Sequence, residues 1–160
     1  MRHYANEEFI NVPVNEIFEY ADNPVNFSSH MNKSSWTMAG SKMLTQTDEG
    51  GGQKKGSHIK MSGNIFGISL FLDEIITVHE PPYHKEWQTV GEINLLVIDH
   101  YRLGFEVKPD KNNLSYFRVY IDYELPKSFK TRWLGLLFGD VFAKWCVQQM
   151  IRSVKDHFTK

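Results

Sequence analysis

The chain has 160 residues, and its 18 Lys and Arg nearly balance its 19 Asp and Glu, for a formal net charge of −1. That length predicts one domain over residues 1–160, and the balance exerts no global pull toward nucleic acid or anionic lipid. A single cysteine, Cys146, excludes an internal disulfide framework and a multi-cysteine zinc site. With no long apolar run after the first positive charge and no window of about 18 uninterrupted apolar residues, neither a secretory signal nor a membrane-spanning helix is expected. A cytoplasmic location is the default expectation.

Residues 3–11 read as the first strand. Pro13 suits the first turn of a helix, and Val14, Ile17, Phe18 and Ala21 then share one helical face. Asn23-Pro24 breaks that helix, and residues 25–31 read as a second short one. Strands are expected over 36–47, 57–62, 68–79, 83–90, 95–107 and 114–125. Between them lie Gly63-Asn64 and Gly67, Glu80-Pro81-Pro82, Gly91, and Pro109 to Asn113. DEGGGQKKG at 48–56 joins two strands and reads as a mobile hairpin tip; it lacks the spacing of a phosphate-binding loop.

From Thr131 onward a helical period runs to the end of the chain. One apolar face carries Ala143, Val147, Met150 and Val154, with Ile151 and Phe158 beside it. The first half adds a second stripe at Leu134, Phe138, Val141 and Trp145. A surface helix needs one apolar stripe. The second stripe must meet a cavity, a loop, a partner or a membrane.

This order predicts an α+β fold. A strongly bent antiparallel sheet of about seven strands wraps one long C-terminal helix, with two short helices after the first strand. The segments INVPVNEIFEYADNPVNF, GFEVKPD, FRVYIDYELP and QQMIRSVKDHF resemble the opening and closing parts of the START/polyketide-cyclase superfamily. Its members are also called SRPBCC or birch-pollen-allergen-like helix-grip proteins. HEPPYHKEWQTVGEINLLVIDHYRLGFEV resembles a bacterial subgroup of it. That superfamily includes lipid and sterol carriers, coenzyme Q-binding proteins, polyketide cyclases and hormone receptors. The resemblance therefore implies a cavity for an apolar small molecule and does not name the molecule.

Alternation along 95–107 puts Leu95, Val97, Asp99, Tyr101, Leu103, Phe105 and Val107 on one face. Asp99 interrupts it. Either it is a cavity carboxylate that orients a polar ligand group, or a bulge near Ile98 turns it to water. The next strand places Phe117, Val119, Ile121 and Tyr123 inside, and the Tyr123 hydroxyl then needs a partner: a ligand, Asp99 or a core group. Of the seven histidines, none pairs at metal-binding spacing, so no metal and no cofactor is expected. His30, near the expected mouth of the fold, is the histidine to test as an acid or base. Cys146 reads as a packing residue.

Two principal readings follow. In the first, the chain binds and carries a lipid, quinone, isoprenoid or polyketide, with no nucleic-acid partner. The expected walls are Phe71, Trp87, Asp99, Tyr101 and Phe117 from the sheet, Tyr123 from the last strand, and Phe138, Phe142 and Trp145 from the helix. In the second it is a cyclase or dehydratase that uses Asp99, Tyr123 or His30 for proton transfer. Two surface readings remain. The stretch from Lys130 to Phe138 has the composition of a membrane-contacting segment, and the second helical stripe would serve a homodimer.

Overall fold

The first strand ends at Ile10, Pro13 stands at the N-cap of the first helix, and the elements follow in the expected order. The structure is a computed structural model and describes residues 1–27, 44–65, 68–111 and 114–159. Strand β1 (Arg2–Ile10) leads into α1 (Val14–Asp22) and the single-turn α2 (Pro24–Phe27). Six strands come next: β2 (Leu44–Thr47), β3 (His58–Ile65), β4 (Ile68–Glu80), β5 (His84–Asn94), β6 (Tyr101–Pro109) and β7 (Ser115–Tyr123). The last element is α3 (Phe129–Phe158), 30 residues long, which is about 45 Å of helix.

All neighbouring strands are antiparallel in the order β1-β7-β6-β5-β4-β3-β2. Strands β2 to β7 form a meander, and β1 crosses over to flank β7. The longest pair, β4 with β5, is interrupted between Phe71 and Asp73 and again between Ile76 and Val78. Such irregularities bend a sheet and increase its twist, which lets this one curve over α3. The core lies between the concave face and the helices. Phe105, Phe117, Val119, Ile121 and Val107 of the sheet meet Ala143, Val147 and Val154 of α3 and Ile17 of α1.

Several boundaries differ from those the sequence predicts. Strand β3 continues through Gly63 and Asn64 to Ile65, because β4 supplies a backbone partner for each residue. Strand β5 passes through Gly91, at φ +66°, and ends at Asn94. The run expected over 95–107 becomes a strand only at Tyr101. Pairing of β5 with β6 ends at Gln88 and Arg102, and there the Thr89 hydroxyl takes the Tyr101 N–H at 3.0 Å in place of a backbone carbonyl. The strand expected over 36–47 is described only from Leu44, and the second helix only to Phe27; the rest of both lies outside the described residues.

The connection expected as a mobile tip is a hydrogen-bonded turn. Asp48 accepts from the Gly50 N–H at 2.9 Å, the His58 N–H at 2.7 Å and the Ser57 hydroxyl. Gly52, at φ +70°, lies so close to Pro24 and Ile59 that a Cβ would sit 2.8 Å from each. Only glycine fits both the backbone and the space.

Candidate functional site

Where the bent sheet pulls away from α3, a cavity of about 70 Å³ remains. On this measure a water needs roughly 10–15 Å³, so the space holds several waters or a compact part of a larger molecule. Met61, Leu72, Trp87 and Leu103 wall it on the sheet side; Phe142, Cys146 and Met150 wall it on the helix side. Ala21 at the end of α1, Pro24 and Ile59 of β3 complete the lining.

Two ionisable side chains interrupt this apolar lining: Glu74 of β4 and Lys85 of β5. Both are only 2% exposed. Alternation along β4 carries Leu70, Leu72, Glu74 and Ile76 inward, so the fold forces the Glu74 carboxyl into the interior. Tyr101 donates its hydroxyl hydrogen to it, and the Trp87 indole N–H is a second donor. Burial pushes Glu74 up to about 7; the two hydrogen bonds and the Lys85 charge oppose that rise. Desolvation together with the Glu74 charge holds Tyr101 well above the ordinary phenol range. The site thus presents a carboxyl that changes protonation near neutral pH, braced by two donors inside an otherwise apolar chamber.

Lys85 is neutralised locally. Its Nζ donates to the Asp22 backbone carbonyl at 2.7 Å and to Asp22 Oδ1 at 2.6 Å. Burial lowers its pKa, and Asp22 works against that shift. His79 Nε2 lies 3.1 Å from both Asp22 oxygens, and Gln53 donates to Oδ2 at 3.4 Å. This network pins the C-terminal end of α1 to the sheet. Cys146 also borders the cavity, and burial raises its thiol to about 12, so it is a packing group there rather than a thiolate nucleophile. Among the described residues no group of three or more His, Cys, Asp or Glu side chains is placed to hold a metal ion.

No family model matches the sequence, and no curated protein sequence matches it significantly. Solved structures do match its shape. The Zhui aromatase/cyclase from Streptomyces sp. R1128 aligns at a TM-score of 0.70 and 8% identity, over 98% of this chain and 92% of that one. Norcoclaurine synthase from Thalictrum flavum aligns at 0.67 and 12%, over 99% and 94%. Ara h 8.0201 aligns at 0.62 and 13%, over 98% and 97%. The chain adopts the helix-grip fold. At these identities the likeness is one of architecture.

Within this helix grip the expected wall residues do not share one environment. Trp87, Tyr101 and Phe142 line the cavity. Phe117 and Tyr123 point inward but belong to packed regions. Phe117 sits with its ring centroid 5.8 Å from that of Phe105. The Tyr123 hydroxyl donates to Asp140 Oδ1 at 2.5 Å, and burial with that bond raises its pKa to about 12. Trp145 is half-buried, its ring 6.0 Å from Phe142. Phe71 and Phe138 face outward. Phe71 lies between inward Leu70 and Leu72, so the two-residue period sends it to the other face. Phe138 is exposed because α3 turns Gly135 and Gly139 toward the fold instead.

Asp99 is not part of the cavity lining. It lies before β6, where its N–H donates to the Glu124 carbonyl at 2.8 Å and its carboxylate accepts from the His100 N–H at 2.9 Å. Ile98 takes the interior place beside it. His30 lies outside the described residues. Sequence reasoning passed over Glu74, Lys85 and Asp22. The interrupted alternation that singles out Asp99 is equally present in Leu70, Leu72, Glu74, Ile76 and in Lys85, Trp87, Thr89.

Proposed function

We propose that the chain binds an apolar or amphipathic small molecule between the sheet and α3, with the ligand's one polar group meeting Glu74 and Tyr101. The observation that carries this reading is the Glu74 carboxyl, 2% exposed and held by Tyr101 and Trp87 in an apolar lining. Apolar walls supply affinity and a few placed polar groups supply orientation. A lipid, quinone, isoprenoid or polyketide fits this chemistry, with a compact end in the cavity and the remainder toward α3. Two of the similar folds are an aromatase/cyclase and norcoclaurine synthase, and one solved norcoclaurine synthase structure holds dopamine and hydroxybenzaldehyde. The carrier works as a soluble protein in the cytoplasm.

The test is native mass spectrometry on freshly purified protein, followed by organic extraction, and quenching of tryptophan fluorescence by an apolar probe. A stoichiometric apolar adduct and saturable probe binding are expected. Cys146→Phe, which fills the cavity from α3, should abolish both while the protein stays folded. Probe binding undiminished in that folded variant would remove the cavity from the reading.

A second reading rests on the same carboxyl. A group that titrates near 7 can both give and take a proton at neutral pH, so a cyclase or dehydratase would use Glu74 rather than Asp99. In that case Glu74→Gln abolishes turnover of a carbonyl-bearing substrate and leaves probe binding intact. Equal turnover by Glu74→Gln would end the catalytic version.

A further inference from the structure

The N-terminal half of α3 is turned inside out. Its small residues, Gly135 and Gly139, face Pro126, Leu125 and the Val97 carbonyl, while most of its large apolar ones face away from the fold. Phe129 is 94% exposed, Trp133 56%, Leu137 62% and Val141 64%. Leu136 and Phe138 are exposed as well. Lone exposed apolar residues are ordinary, but a contiguous set on one helix marks an interaction surface.

Charge selects the occupant. Lys130, Trp133, Leu137, Val141 and Lys144 step along the helix by three, four, four and three residues, so they form one stripe with a lysine at each end. Lys130, Arg132 and Lys144 have no salt-bridge partner among the described residues, and Lys127 pairs with Glu124 at 2.8 Å. No acid occurs from Leu125 to Gly139. The nearest one, Asp140, is answered by Arg2 at 2.6 Å and by the Tyr123 hydroxyl.

A second copy of the chain fits this stripe poorly. Laid parallel or antiparallel, two stripes put lysine against lysine at both ends with no acid to answer them. An anionic bilayer surface fits both parts, because the apolar side chains enter the acyl boundary and the lysines reach to the headgroups. No helix of the described residues is long and apolar enough to cross a membrane. The contact is therefore one in which α3 lies along the surface.

We propose that the Lys130-Trp133-Leu137-Val141-Lys144 stripe docks the protein on anionic lipid bilayers. Phe142, next to Val141 in the chain, lines the cavity, so the docked face and the cavity share one stretch of helix. Docking is independent of what the cavity holds, and the vesicle assay below needs no ligand.

The full chain is floated with vesicles of phosphatidylcholine alone and of phosphatidylcholine with phosphatidylglycerol, at low and high salt. Binding to the phosphatidylglycerol vesicles, weakened by salt, is expected. Lys130→Gln and Lys144→Gln should each lower it about fivefold, and Leu137→Glu should abolish it. All three positions are exposed, and retained thermal unfolding confirms each variant's fold. Protein that never floats overturns the proposal. So does binding that ignores lipid charge, or that survives in Leu137→Glu. A solution mass of two chains that falls to one in Leu137→Glu would give the stripe to a homodimer instead.

Discussion

The Tyr101 hydroxyl on β6 donates to the Glu74 carboxyl on β4 inside a cavity whose other walls are mainly apolar. The two residues are brought together by sheet pairing through β5, which supplies the second donor, Trp87. Burial raises Glu74 from 4.5 to about 7, so between those pH values the folded chain holds a proton that the unfolded chain has lost. Stability therefore falls as pH rises through that window and levels off above it. At about 1.4 kcal/mol per pH unit, the full effect is about 3 kcal/mol. Glu74→Gln keeps an acceptor for Tyr101 but cannot titrate. Urea unfolding at pH 5 and pH 8 should show the pH difference shrink by most of that amount in the variant. An unchanged difference would mean that Glu74 is not the group responsible.

The Lys85 and Asp22 pair gives a second test. Removing one member of a buried pair strands the other charge, which is destabilising by about 3–5 kcal/mol. Asp22→Ala strands Lys85, whose hydrogen-bond acceptors among the described residues are the Asp22 carboxylate and carbonyl. Lys85→Met is milder, since Asp22 keeps His79 and Gln53. In chemical denaturation the double variant should be more stable than Asp22→Ala alone. Simple additivity of the two losses would refute the coupling.

Glycine at 135 and 139 should resist even a methyl group. Alanine normally favours a helix by about 1 kcal/mol over glycine. Here a Cβ at 135 would sit 2.4 Å from Pro126 Cδ, and one at 139 would sit 2.7 Å from Leu125 Cδ2 and 3.0 Å from the Val97 carbonyl. Overpacking of that kind is destabilising by about 1–3 kcal/mol. Each Gly→Ala change should therefore lower the melting temperature by several degrees. A rise at either position would contradict the close approach.

Cys146 offers a probe of cavity access. Its thiol is buried and raised to about 12, so almost none of it is thiolate at pH 7.5. Alkylation by iodoacetamide should be many times slower in the native protein than in urea. An apolar ligand in the cavity should slow it further. Native labelling as fast as that of free cysteine would place the thiol outside the cavity.

Much of this architecture was legible because its signals are periodic. The buried face of α3 at Ala143, Val147, Met150 and Val154 follows from helical spacing, and the inward set Phe117, Val119, Ile121 and Tyr123 follows from strand spacing. Both periods persist wherever an element is regular. They failed at 95–100, where Thr89 substitutes a side-chain oxygen for a backbone partner and the chain leaves the sheet. The register then shifted, Ile98 moved inside, and Asp99 left the cavity. Of the second stripe of α3, Phe138 and Val141 are surplus apolar surface, while Leu134 and Trp145 are half-buried. What periodicity cannot tell is which stripe turns inward. That was decided by size, since Gly135 and Gly139 alone are small enough to pass under Pro126 and Leu125.

The pairing of β1 with β7 also sets a schedule for the chain as it is made. Residues 2–10 find their partners only among residues 115–123, more than a hundred positions later. At roughly 5–20 residues per second of synthesis, the first strand waits about 5–20 s with its backbone groups unmatched. During that interval the strands made before β7 can pair with one another, and β1 must stay available without pairing to a neighbouring chain. Its composition suits the wait: Glu7, Glu8 and Arg2 place charge along a strand that would otherwise be an open invitation to aggregate.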